Sequence, residues 1–214
     1  MIISFMERSY SPEHWSLLNS LRRRAIAILE ELSRMGMRGN VYGSIARGDV
    51  NQHSDIDVVV ENPDFIKLDM IPYSHRFVVQ ATPKSTPKVY ISLDPEEKEI
   101  ISFPIGKLTR DEYFFFKFGG MISLDEMKEG KRVPGINKQL LLIIPRKDGH
   151  TSVEVNGNEA YVSKVIGIPL STVKERERVL QKRKEQGRTG VFFKYELYPN
   201  ESILEALNNI KRRR

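Results

Sequence analysis

Apolar residues at Leu18, Leu21, Ala25, Ile28, Leu32 and Met35, spaced alternately by three and four, run through residues 11–36. That spacing predicts one long amphipathic helix, with Ser11 as its N-cap and Pro12 at its first position. The stripe must face a core, and the segments that follow have strand periodicity, so the partner is a sheet. A very short apolar strand is expected at Val41-Tyr42, ended by a turn at Gly43-Ser44. The next strand is Asp55 to Glu61, and further strands are expected at Arg76–Ala81, Lys88–Leu93 and Glu99–Phe103, the last two joined through the turn formers Asp94 to Lys98.

A second helix with an aromatic face is predicted for Thr109–Phe118, stopped by Gly119-Gly120. The pattern weakens from Met121 to Lys138, and Glu129–Gly135 looks like a linker. A continuous apolar strand at Gln139–Ile144 follows, then an alternating one at Thr151–Val155. The fold class expected is α+β: a mixed sheet of about five strands with flanking helices over residues 1–130, and a small winged-helix-like domain over residues 139–214.

The chemistry is concentrated in the strand from Asp55. A period of two places Ile56, Val58 and Val60 on one face and Asp55, Asp57 and Val59 on the other. Two carboxylates side by side on an otherwise apolar strand repel each other, and their placement calls for a cation. Upstream, Gly43 allows close approach of backbone to ligand, and the amides around Ser44 suit a phosphate. The polar loop Gly48–Ser54 can return the chain so that turn and acids share one cleft.

Gly43-Ser-Ile-Ala-Arg-Gly-Asp49 followed by Ser54-Asp-Ile-Asp57 resembles the signature of the DNA polymerase beta nucleotidyltransferase superfamily, and most of all its minimal nucleotidyltransferases. The resemblance covers residues 39–61 and implies that fold. It also implies that Gly43 and Ser44 hold the phosphates of a nucleoside triphosphate while Asp55 and Asp57 bind Mg2+. The reaction implied is transfer of a nucleoside monophosphate to an acceptor hydroxyl. Arg47 is placed to touch the triphosphate or else to be a solvated surface arginine, and His53 is read as a polar loop residue.

The family's third carboxylate follows a Lys-Val pair, where this chain reads Lys88-Val89-Tyr90. A neutral tyrosine is a poor magnesium ligand, which leaves Asp94, a catalytic candidate, and Glu99, unless both merely cap a solvated turn. The alternative function is a nucleic-acid-binding regulator with a degenerate transferase domain. The polar run Gln80–Lys88 is read as a connecting loop that could line the nucleotide site.

Residues 159–184 resemble a helix-turn-helix, with Asn158 and Ser171 as caps, Gly167-Ile168-Pro169 between the helices, and a wing expected from Gly187–Tyr195. Lys174, Arg176, Arg178, Lys182, Arg183, Lys184 and Arg188 make the second helix and its end a basic recognition helix or else a solvated helix of mixed charge. Lys174, Arg178 and Arg188 are the nucleic-acid contacts expected of the first, with the Lys211–Arg214 tail adding phosphate contacts or else disordered. A formal charge of +6 and a pI near 9.4 agree with phosphate-bearing partners without identifying them. The absence of cysteine excludes disulfides, thiolate metal sites and thiol nucleophiles. No apolar stretch is long enough for a membrane span and no basic leader opens the chain, so the expected location is the cytoplasm; oligomeric state is not readable.

Overall fold

The computed structural model describes residues 3–106, 109–187 and 190–212. In chain order the elements are β1 (Met6–Ser9), α1 (Pro12–Arg34), β2 (Gly39–Tyr42), α2 (Ser44–Arg47), β3 (Ile56–Val60), α3 (Phe65–Leu68), β4 (His75–Gln80), β5 (Lys88–Ser92) and β6 (Glu99–Pro104). There follow α4 (Arg110–Phe118), β7 (Met121–Ser123), α5 (Leu124–Lys128), β8 (Gly135–Ile136), β9 (Leu141–Arg146), β10 (Gly149–Glu154), α6 (Glu159–Ile166), α7 (Leu170–Gln186), β11 (Phe193–Glu196) and α8 (Ile203–Arg212).

Among the described residues the main sheet has seven strands in the order β11-β4-β5-β6-β3-β2-β7, of which only β3 and β6 run parallel. Helix α1 begins as its sequence predicts, Ser11 accepting from the His14 amide beside a proline in the first turn. Its stripe of Leu18, Ala25, Leu29 and Leu32 packs with Val41, Ile56, Val58, Val60 and Ile101 in one core. Because strand side chains alternate, burying Ile56, Val58 and Val60 under α1 sends Asp55 and Asp57 to the opposite face.

A second sheet, β1-β10-β9-β8, carries its own core of Phe118, Leu142, Val153, Val155, Val162, Ile168 and Val173 with α6 and α7. The two sheets group the chain differently from a cut between residues 130 and 139. β1, near the amino terminus, pairs with β10, Met6 opposite Ser152 and Ser9 opposite Gly149. Near the other end, β11 adds to the edge of the main sheet against β4, and α8 buries Ile203, Ala206, Leu207 and Ile210 in the main core. Buried Arg76 fixes that return, donating to Asp69 and to the Glu201 carbonyl.

The expected wing is therefore a correction: Phe193–Glu196 pairs with β4 rather than extending the helix pair. Its sequence carries strand propensity, but the partner lies more than a hundred residues away. Where the sequence pattern weakens, residues 121–128 are ordered, β7 pairing with β2, α5 lying on α1, and Ser123 and Glu126 forming a capping box, while 129–134 of the expected loop or linker form neither helix nor strand before β8. Ser171 is not a cap, since α7 starts at Leu170 behind Pro169. Asn158 precedes α6 without a side-chain cap bond. Residues 188–189 and 213–214, and with them the Arg188 expectation and part of the tail, lie outside the described residues.

Where β8 passes the end of α4 there is no room for a side chain, because a Cβ on Gly135 would lie 2.4 Å from the Gly120 amide nitrogen and 2.6 Å from the Gly119 carbonyl carbon. Gly120 in turn accepts a hydrogen bond from the Gly43 amide at 2.9 Å. Gly135→Ala is therefore expected to destabilise the fold by about 1–3 kcal/mol through overpacking. Denaturant titration checks this; an unchanged midpoint contradicts it.

Candidate active site

The turn at residues 43–48 is held in place from three sides. Gly43 sits at φ 90°, a region that L side chains rarely occupy, and opens α2. Gly48, at φ 101°, closes α2 by returning its amide to the Ser44 carbonyl. Behind the turn, Arg22 donates to the carbonyls of Ile45 and Ala46. In front, Ser44 Oγ donates to Ser54 Oγ at 3.1 Å, and Ser54 Oγ accepts from the Asn51 amide at 2.9 Å. Those two bonds pin the loop so that Asp55 emerges beside the turn.

Gly43, Ser44, Asp55 and Asp57 thus line one cleft of about 320 Å³. Neither Asp55 nor Asp57 accepts a hydrogen bond from any described residue. Burial, reinforced by the charge of Asp55, pushes the Asp57 carboxyl up from 3.8 to about 6, with Lys138 opposing. Around Asp57 lie Tyr42, its register partner on β2, and Tyr90, whose hydroxyls are both pushed up by burial and by the Asp57 charge. A half-buried pair of carboxylates lacking donors fits a divalent cation.

Arg47 lines this cleft but is not free to grip a ligand. Its guanidinium, 5% exposed, holds both Asp49 oxygens (2.9 and 3.1 Å) and the Gly119 carbonyl (2.5 Å). It clamps α2 to the end of α4, so Arg47 is not a solvated surface arginine.

The cations facing the acids come from elsewhere. Lys138, in the β8–β9 loop, and Arg176 and Arg183 on α7 line the cleft with Leu180. Positions 176, 180 and 183 follow the i, i+4, i+7 spacing of one helix face. The Arg176 guanidinium lies 4.2 Å from the Phe115 ring centroid, and its buried Nε has no hydrogen-bond partner. Burial pulls the Arg176 pKa down to about 10, with the neighbouring Arg183 charge adding to it. Lys174 and Arg178 are exposed and do not line the cleft. Sequence reading grouped these basic residues as one recognition helix; sorting them by helical face separates the two sets.

Asp94, expected as a third acid, is turned into its own hairpin. Burial works to raise its pKa, but the backbone N–H groups of Glu99 (2.7 Å), Lys98 (3.2 Å) and Glu96 (2.9 Å) hold it below the ordinary value. Glu99 is taken by a two-pronged ion pair with Arg24. Among the described residues no three of His, Cys, Asp and Glu are grouped to hold a metal. The polar run before β5 is tied to α4 by Glu112, which accepts from the amide and hydroxyl of Thr86.

Residues 22–111 match the sequence model of the nucleotidyltransferase domain. Residues 22–111 therefore belong with the nucleotidyltransferase domains. That family moves nucleoside monophosphates and generally uses divalent metals, and the domain implies a nucleoside triphosphate substrate. The mixed sheet and flanking helices agree with its fold, and the matched stretch contains Gly43, Ser44, Asp55 and Asp57. Comparison with curated proteins gave no significant match, nor did comparison with solved structures. Among the described residues no helix is long and apolar enough to cross a membrane.

The raised Asp57 pKa has a sign that can be tested. A folded value near 6 against 3.8 means that the folded state holds the proton more tightly. Stability is thus fully present below the unfolded value, falls as pH rises toward 6, and above that is lower by up to about 3 kcal/mol. Without divalent ions, Asp57→Asn should raise the denaturation midpoint at neutral pH and leave it nearly unchanged in acid. A variant less stable than wild type at neutral pH contradicts this.

Proposed function

We propose that this chain is a Mg2+-dependent nucleotidyltransferase that moves a nucleoside monophosphate from a nucleoside triphosphate to an acceptor hydroxyl. The observation carrying the reading is a single cleft lined both by two donor-free carboxylates, Asp55 and Asp57, and by Lys138, Arg176 and Arg183. A magnesium triphosphate has that polarity: a cation for the acids and phosphate oxygens for the guanidinium groups.

Asp55 and Asp57 would hold the ion, which when bound supplies charge neutralisation at the phosphates. Ser44 and the amides of the turn orient the triphosphate beside it. Arg176 and Arg183 take the charge that grows on the departing phosphates. The acceptor oxygen bonds to the α phosphorus, the bond from that phosphorus to the bridging oxygen breaks, and pyrophosphate leaves. Within the cleft Asp49 is engaged by Arg47, so the hydroxyl proton goes to water or to Asp55 or Asp57. Exposed Lys174 and Arg178, on the outer face of α7, offer phosphate contacts to a nucleic-acid acceptor.

A second reading, a regulatory protein that binds nucleotide without transferring it, draws on one specific arrangement. Tyr90 is the neighbour of Asp57 on β5, while Asp94 and Glu99 are held by the hairpin amides and by Arg24. Radiolabelled triphosphates with magnesium separate the two. Transfer predicts pyrophosphate release, lost by at least about a hundredfold in Asp55→Ala and Asp57→Ala. Arg176→Ala and Arg183→Ala should lower kcat as well as raise KM, while Lys174→Ala and Arg178→Ala leave both unchanged for the triphosphate. Tight nucleotide binding with no pyrophosphate favours the second reading.

A further inference from the structure

On the far side of α2 from the cleft lies a cavity of about 470 Å³ whose lining includes Trp15, Asn19, Arg22, Arg23 and Arg132, and no acidic residue. Arg22 is 7% exposed. Its Nε and Nη2 donate to the Ile45 and Ala46 carbonyls, and Nη1 has no hydrogen-bond partner among the described residues. It has no carboxylate partner there either, so its buried positive charge is met only by carbonyl dipoles. Burial, then the neighbouring Arg132 charge, pulls its pKa down to about 10. Arg132 is anchored by the carbonyls of Gly149 and Arg146, with its guanidinium 4.9 Å from the Trp15 ring centroid. Arg23 is exposed at the rim. Three arginines thus line, with no acidic residue beside them in that lining, a space larger than a bare phosphate fills and flanked by an indole.

We propose that this cavity is a second anion site, which seats the phosphate of a nucleotide unit, free or within a single strand, among Arg22, Arg23 and Arg132 with the base against Trp15. Guanidinium groups bind phosphate oxygens through paired N–H donors, and an aromatic face accepts any base. The site is independent of the chemistry proposed for the cleft.

Trp15 is the one tryptophan of the chain, so its emission reports on this cavity. The full chain carrying Asp55→Ala and Asp57→Ala is titrated with uridine monophosphate, a short oligouridylate and inorganic phosphate. A saturable emission change is expected with both uridine ligands, and the tighter of the two identifies free nucleotide or strand. Arg23→Glu in the same background should weaken it by about tenfold or more. Because Arg22 also braces α2, the exposed Arg23 and an Asn19→Asp variant carry the test, with circular dichroism confirming that each is folded. No saturable change, or a change indifferent to Arg23→Glu and Asn19→Asp, overturns the site; inorganic phosphate binding as tightly as uridine monophosphate overturns its assignment to nucleotide.

Discussion

Two carboxylates on a strand that otherwise buries valine and isoleucine set the terms for this fold. Asp55 and Asp57 point away from α1 because Ile56, Val58 and Val60 point toward it, and on that side no described residue donates to them. Leaving them so costs stability at neutral pH, a cost that a protein tolerates where a ligand offsets it. The cations that oppose them are contributed by segments far along the chain, the β8–β9 loop and α7.

That arrangement depends on a series of backbone contacts around one short turn. Arg22 holds the carbonyls of α2 from behind, Arg47 ties the same element to Gly119, Gly120 accepts from Gly43, and Gly135 packs against both of those glycines. Two buried arginines thus serve as braces, Arg22 through Nε and Nη2 on carbonyls and Arg47 on carbonyls and one aspartate. On the proposed function, preorganising the turn in this way lets the Ser44 region take a phosphate without rearrangement.

Much of the first half was legible because its signals are local. The α1 stripe, the hairpin joining β5 and β6, and the Gly43-Ser44 and Asp55-x-Asp57 spacing each lie within a few residues, and the structure brings the last two into one cleft. What escaped was long-range. β1 is four exposed residues with no alternation, and only its pairing with β10 makes it a strand. β11 carries strand propensity, but nothing in its sequence says which sheet it joins. On α7, charge counting concealed a division that helical periodicity contains: Arg176 and Arg183 on the cleft face, Lys174 and Arg178 away from it. Asp94 was drawn toward catalysis by its position past Tyr90, whereas an aspartate opening a tight hairpin is more readily consumed by that hairpin's own amides.

Calorimetric titration of the intact chain with a non-hydrolysable nucleoside triphosphate, with and without magnesium, tests most directly whether acids and arginines serve one ligand. The account predicts uptake strongly enhanced by magnesium, with the enhancement lost when both Asp55 and Asp57 are alanine and affinity lowered when Arg176 is. Binding equally tight without the ion, or no binding in either condition, would contradict it.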